Sequence, residues 1–146
     1  MRIWKGQLKR QSAHSLKVLT MFYLTDTHAL IWYLIGRLPS RVDEVFRRAE
    51  RGETIIYLPT VVLAECFYLV EHGKIAMDIG ELLNKIEMSD NFIPVPFDFE
   101  ILKLLPMVNL SEIHDRIIVA TAKHLNAKLI TKDKEITQSG EVEVVW

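Results

Sequence analysis

The sequence predicts an α/β domain: a central, mostly parallel sheet of about five strands with helices on both faces. Three observations predict it. Short apolar runs alternate with longer segments of helical period throughout residues 21–146. Strands separated by helices pair in parallel, because right-handed crossovers return the chain in the same direction and lay the helices over the sheet. The 146 residues are 49% hydrophobic and 25% charged, enough for one compact domain with a substantial core, and they contain no repeat or low-complexity tract.

Taken in order, residues 22–25 read as a short buried strand and 27–35 as a helix ended by Gly36. Pro39 and Ser40 open a polar helix to Glu50, which Gly52 closes. Residues 54–58 form the next strand, and Pro59 starts the apolar helix that carries Glu65 and stops near Gly73. A further helix is expected over 75–88. Residues 92–95 are strand-like, with Pro94 suiting an edge or a strand end. Residues 98–105 are helical, Ser111 caps a helix running to Asn126, and 128–131 and 142–145 make the last two strands.

Charge divides the chain. Residues 1–20 hold five basic residues (Arg2, Lys5, Lys9, Arg10, Lys17) and no acid, leaving 13 basic and 19 acidic residues in the remainder, a net of −6. Residues 1–20 read either as a nucleic-acid or partner contact or as a basic extension outside the domain of residues 21–146; the second is the expectation, with Met21, directly before the first strand, a candidate natural start. An acidic body excludes a protein that holds nucleic acid by bulk electrostatics alone, but not an enzyme that meets phosphate through metal ions. The apolar stretch 21–35 is interrupted by Asp26 and His28 and is too short to span a membrane. No cleavage site follows the basic leader as a signal peptide requires. The single cysteine, Cys66, lies in an apolar run and reads as a small core residue. A cytoplasmic protein is expected.

Four carboxylates fall where the alternating pattern brings segments together: Asp26, Glu65, Asp115 and Asp133. Ligands of open parallel sheets bind outside the carboxyl ends of the strands. Asp26 directly follows the first strand and Asp133 follows the penultimate one by two residues, so both belong at that edge. Asp115 lies in the first turns of the helix from Ser111, on the stripe of Ile118, Val119 and Ala122, and Glu112 shares its face. Both stand at the positive end of their helix. Glu65 is the only charged residue in the run 61–70. A buried carboxylate without a counter-charge costs several kcal/mol or neutralises instead, and a hard divalent cation shared with the other acids compensates it.

Each acid alone has an ordinary explanation. Asp26 can cap the following helix, Asp115 and Glu112 can be first-turn acids, and Asp133 can be a turn residue. Arg116 is a candidate partner for a buried Glu65. One shared cause accounts better for four acids at one sheet edge than four coincidences. His28 and His114 stand near helix starts, where histidines are more often structural than catalytic. The run Ile31, Trp32, Tyr33 and Leu34 beside the first acid is either an exterior apolar stripe or plain core.

The segments Leu24-Thr25-Asp26-Thr27-His28-Ala29-Leu30-Ile31-Trp32, Ala64-Glu65, Glu112-Ile113-His114-Asp115-Arg116-Ile117-Ile118 and Leu129-Ile130-Thr131-Lys132-Asp133 together resemble the successive motifs of PIN-domain nucleases. The resemblance covers residues 22–146, and the Asp-Thr-His opening and His-Asp-Arg helix resemble the VapC-type toxin branch in particular. It implies a three-layer PIN-like fold, with Asp26, Glu65 and Asp115 as the core metal-binding acids and Asp133 as a more variable fourth. Glu112 matches an acid that many toxin members carry, Thr131 matches a hydroxyl residue of the fourth motif, and Thr27 and Arg116 are supporting residues of the matched motifs. Residues 1–20 have no counterpart.

The chemistry agrees with the resemblance. Phosphodiester hydrolysis needs an activated water in line with the leaving oxygen and neutralisation of the non-bridging oxygens, and Mg²⁺ or Mn²⁺ held by carboxylates supplies both. The resemblance implies endonucleolytic cleavage of RNA, a cognate antitoxin and a homodimer. The competing expectation is a degenerate PIN domain acting as a non-catalytic RNA- or protein-binding module, against which all four acids speak. A receiver-like domain is disfavoured, because Thr27 and not a second acid follows Asp26.

Overall fold

The computed structural model describes residues 21–146, so the basic extension expected over residues 1–20 lies outside the described residues. Five parallel strands form one sheet in the order β3-β2-β1-β4-β5: β1 (Tyr23–Thr25), β2 (Ile56–Pro59), β3 (Phe92–Val95), β4 (Lys128–Ile130) and β5 (Val144–Val145). β1 and β2 are joined through α1 (Thr27–Leu34) and α2 (Ser40–Glu50), and β2 and β3 through α3 (Thr60–Glu71) and α4 (Ile79–Met88). The chain then runs through α5 (Phe99–Leu102), a 3₁₀ turn (Leu105–Met107) and α6 (Ile113–Leu125) to β4, and through α7 (Lys134–Ser139) to β5.

The sheet grows one way from β1 to β3 and the other way from β4 to β5. Right-handed crossovers therefore lay α1–α4 on one face and α5–α7 on the other, the three-layer arrangement that the sequence predicts. Between β1 and β4 the direction of growth reverses, which opens a crevice outside their carboxyl ends. Pro94 sits in β3 at the sheet edge, where its missing N–H breaks no interior ladder.

The core between α1, α2 and the sheet is aromatic. Tyr33 and Phe46 stack with centroids 4.3 Å apart, Phe92 of β3 closes the cluster, and all three are fully buried. Ile31 and Leu34 are buried beside Tyr33, and Trp32 is half-buried. This run is plain core, because α1 lies flat on the sheet and shows solvent little more than His28.

The elements differ from expectation in places, each for a local reason. The Asp78 carboxylate accepts from the Glu81 N–H, so α4 starts at Ile79 and not at residue 75. Pro106 tightens the end of the 98–105 segment into a 3₁₀ turn. Helix α7 lies in a stretch to which the sequence assigned nothing; Asp133 caps it and Gly140, at φ 68°, ends it. The largest correction concerns α3. Only Val62 and Cys66 of this helix are buried, Phe67 and Tyr68 are 52% and 59% exposed, and Glu65 is half-buried and not enclosed in a core.

Candidate active site

A pocket of about 380 Å³ opens at the reversal point. It is lined by Asp26, Thr27 and His28 at the start of α1, Glu65 of α3, Glu112, His114, Asp115 and Ile118 at the start of α6, and Lys132 and Asp133 between β4 and α7. All five candidate acids thus line one cavity, although they come from four separate segments.

Asp26 is held on every side. It is 9% exposed, its backbone N–H extends the β1–β4 pairing to Ile130 O, and its Oδ1 accepts from the Ala29 N–H at 2.8 Å as the N-cap of α1. Its Oδ2 accepts from the Thr131 hydroxyl at 2.5 Å, and Thr131 Oγ1 accepts in turn from the Asp133 N–H at 3.1 Å. Burial pushes the Asp26 carboxyl above its ordinary pKa, and the bonds from Thr131 and Ala29 offset part of that rise. Capping and pocket-lining coexist in this residue, so the two readings of Asp26 are compatible.

Asp115 carries the strongest sign of crowded charge. Its carboxyl is pushed up to about 6, first by burial and then by the negative charges of Asp133, Glu112, Glu135 and Asp26. Glu112, not Ser111, caps α6: its Oε2 accepts from the Asp115 N–H at 2.7 Å and its Oε1 meets His114 Nδ1 at 2.8 Å. Burial raises the Glu112 pKa, but these bonds outweigh it and leave the carboxyl below its ordinary value. The Glu112 contact in turn raises the His114 pKa, with the charges of Glu65 and Asp115 adding to it. Glu65 therefore faces the pocket closely enough for its field to be felt across it. Asp133 caps α7 through Oδ1 and the Ile136 N–H at 2.9 Å.

Two supporting residues behave differently from each other. Thr27 lines the pocket with a buried hydroxyl that has no hydrogen-bond partner among the described residues. Arg116 donates to Leu105 O at 2.6 Å, tying α6 to the 3₁₀ turn, and does not line the pocket, so it is no counter-charge for Glu65. Cys66 is fully buried, and burial with the nearby Glu65 charge pushes its thiol up to about 12, which leaves it an inert core residue. Sequence reasoning missed Lys132 and Glu135. Glu135 lies in the first turn of the unassigned helix α7, and the Asp133 cap was its one local signal.

The donors fit a hard divalent cation. All are carboxylate or hydroxyl oxygens, the Asp115 pKa is raised first by burial and then by neighbouring negative charge that a cation would relieve, and the Thr27 hydroxyl has no partner among the described residues. Among the described residues no three His, Cys, Asp or Glu side chains converge in ligating geometry. Mg²⁺ is commonly held by one or two carboxylates, with waters and substrate phosphates completing its shell. Among the described residues no helix is long and apolar enough to cross a membrane.

The same fold occurs in several solved structures. VapBC2 from Rickettsia felis bound to a promoter DNA fragment matches with a TM-score of 0.66 at 18% identity, covering 86% of this chain and 99% of that one. FitAcB from Neisseria gonorrhoeae matches at 0.61 and 20% identity, over 86% and 97% of the two chains. A toxin–antitoxin complex from Klebsiella pneumoniae matches at 0.56 and 18% identity, over 85% and 96%. No curated protein matches the sequence. The family model of the PIN domain matches residues 23–141, nearly all of the described chain, and the protein belongs to the PIN domain family.

Proposed function

We propose that this protein is a divalent-metal-dependent endoribonuclease and the toxin of a toxin–antitoxin pair, acting in the cytoplasm. The observation that carries the reading is the pocket at the β1–β4 reversal, in which Asp26, Glu65, Asp115 and Asp133 share one cavity, with the Asp115 pKa lifted first by burial and then by the charges of Asp133, Glu112, Glu135 and Asp26. These four acids would hold Mg²⁺ or Mn²⁺, with Glu112 and the Thr27 hydroxyl at the margin. Such a cation, when bound, neutralises the scissile phosphate and lowers the pKa of water.

The chain's own residues prepare that chemistry. Thr131 donates to Asp26 and so favours its ionised form, while Ala29 N–H fixes the rotation of the carboxylate. Glu112 fixes the start of α6, and with it the position of Asp115, and holds His114 at the wall. The pocket is open and the domain's family is one of nucleases, which favours a polymeric substrate over a small enclosed one.

An antitoxin partner is supported by the fold shared with the toxin–antitoxin structures above, and by Phe67 and Tyr68, exposed on α3 just beyond Glu65. Homodimerisation is proposed on the same grounds, with Phe97, Phe99 and Leu102 as further exposed apolar side chains. The test is cleavage of a mixed RNA pool with Mn²⁺, with and without EDTA, beside Asp115→Asn. Cleavage lost in EDTA and in the variant is expected. Cleavage that persists in EDTA overturns the reading, and RNA binding without cleavage under any divalent ion marks a non-catalytic PIN module.

A further inference from the structure

The nuclease reading leaves the one lysine that lines the pocket among the described residues without a role. Lys132 is the only lysine or arginine among the described residues that line the pocket, where it faces Asp26, Glu65, Glu112, Asp115 and Asp133. It is exposed, and it takes part in none of the ion pairs among the described residues. Its ammonium instead lies 4.1 Å from the centroid of the Trp32 ring, and Trp32 meets Trp146 with centroids 5.9 Å apart.

Backbone register explains why three distant residues converge. Thr25 pairs with Ile130 and Ile130 with Val145, so the ends of β1, β4 and β5 lie side by side. The Thr131 N–H donates to Val145 O at 3.2 Å, which sets Trp146 beside the root of Lys132. Trp32 stands one helical turn after the pocket-lining His28 on α1, on the same face. The indole face then draws the lysine ammonium over it and narrows the positions a flexible four-carbon stem can take.

A polyanion entering this pocket meets a wall of carboxylates on a body of net charge −6 over residues 21–146. A metal answers that repulsion at the scissile phosphate only. Phosphates on either side need fixed positive charge at the rim, and a lysine meets a phosphate as a point charge without reading sequence.

We propose that Lys132 is a substrate-binding residue that takes a phosphate flanking the cleaved bond of single-stranded RNA, and that Trp32 and Trp146 form the seat that holds it there. This deepens the nuclease reading and rests on it. The test is anisotropy of a labelled single-stranded oligoribonucleotide with Ca²⁺ in place of Mn²⁺, between 50 and 200 mM salt, for wild type, Lys132→Met and Lys132→Arg. One phosphate contact on a single strand contributes about 0.7 to the slope of log affinity against log salt. Lys132→Met should lose that share, so that its affinity deficit narrows roughly 2.5-fold across this salt range. Lys132→Arg should keep the wild-type slope, and all three proteins should melt together. In steady-state cleavage Lys132→Met should raise KM and leave kcat unchanged. Wild-type affinity and slope in Lys132→Met, a fall in kcat alone, or no RNA binding by the wild type would each overturn the assignment. A wild type that binds RNA but never cleaves it overturns the nuclease reading, while the salt slopes still decide the role of Lys132.

Discussion

The Thr131 hydroxyl donates to Asp26 Oδ2 across a separation of 105 residues, and Thr131 Oγ1 itself accepts from the Asp133 N–H. One side chain thereby fastens the carboxyl ends of β1 and β4 and spaces two of the candidate acids. Because burial raises the Asp26 pKa and this bond lowers it, Thr131 helps to keep Asp26 ionised.

Thr131→Val should therefore act on both stability and activity. The substitution keeps the shape of the side chain but leaves a buried carboxylate oxygen and the Asp133 amide without their partner, at a cost of about 1–3 kcal/mol. Cleavage should fall with it, and Thr131→Ser should recover most of both. Urea denaturation and initial rates for the three proteins check this; a valine variant with wild-type values would show that the bond orients nothing that matters.

The acids themselves should separate by role. Asp26→Asn, Glu65→Gln and Asp115→Asn should each abolish divalent-dependent cleavage and still fold, since the amide introduced by Asp26→Asn retains an oxygen for the Ala29 N–H and the other two side chains are only half-buried. Asp133→Asn should cost less, because an amide oxygen can still cap α7. Circular dichroism with rate measurements decides it. Wild-type rates in any two of the first three would sink the assignment.

The Asp115 carboxyl links the site to pH. Its folded-state pKa of about 6 lies above the ordinary value of 3.8, so the folded state binds the proton more tightly than the unfolded chain does. The contribution to stability is complete below pH ~4 and is lost as pH rises to ~6. Asp26 shifts in the same direction. Metal-free wild type should lose stability relative to Asp115→Asn across that window, and the variant should melt higher at pH 7. Saturating Mn²⁺ should reverse the order, adding about 2.7 kcal/mol at a hundredfold excess over Kd to the wild type and much less to the variant. Melting curves in EDTA and in Mn²⁺ at pH ~3.5 and ~7, on either side of the shift, provide the measurement; equal metal shifts in both proteins at pH ~7 would contradict a shared cation.

Glu112 offers a separate test, because both of its oxygens are engaged in fixing α6 and His114. Glu112→Ala should cost about 1 kcal/mol through the lost cap. It should also return the His114 titration toward its ordinary value, since the Glu112 contact is the main cause of the rise. An NMR titration of the imidazole reads this directly, and an unmoved His114 would mean that the two side chains do not meet in solution.

Local chemistry made much of this protein readable from sequence. Apolar runs and helix signals place all five strands and most helices, since period and capping are properties of neighbouring residues. The position of Asp26 and Asp133 just past two strands also follows locally, because any parallel sheet gathers its strand ends along one edge. Tertiary structure alone decided the rest. The run around Glu65 is apolar on every side and reads as buried, yet α3 buries only Val62 and Cys66 and leaves Phe67 and Tyr68 to solvent; composition does not say how much of a helix its neighbours cover. The six residues of α7 are too few to show a period. Conversely, Ile31, Tyr33 and Leu34 are core because Phe46 and Phe92, far along the chain, stack over the Tyr33 ring. The bond from Thr131 to Asp26 and the seat of Lys132 on Trp32 join residues about a hundred positions apart. Contacts at that separation leave no pattern in the sequence, and they form only once β1, β4 and β5 are paired in register.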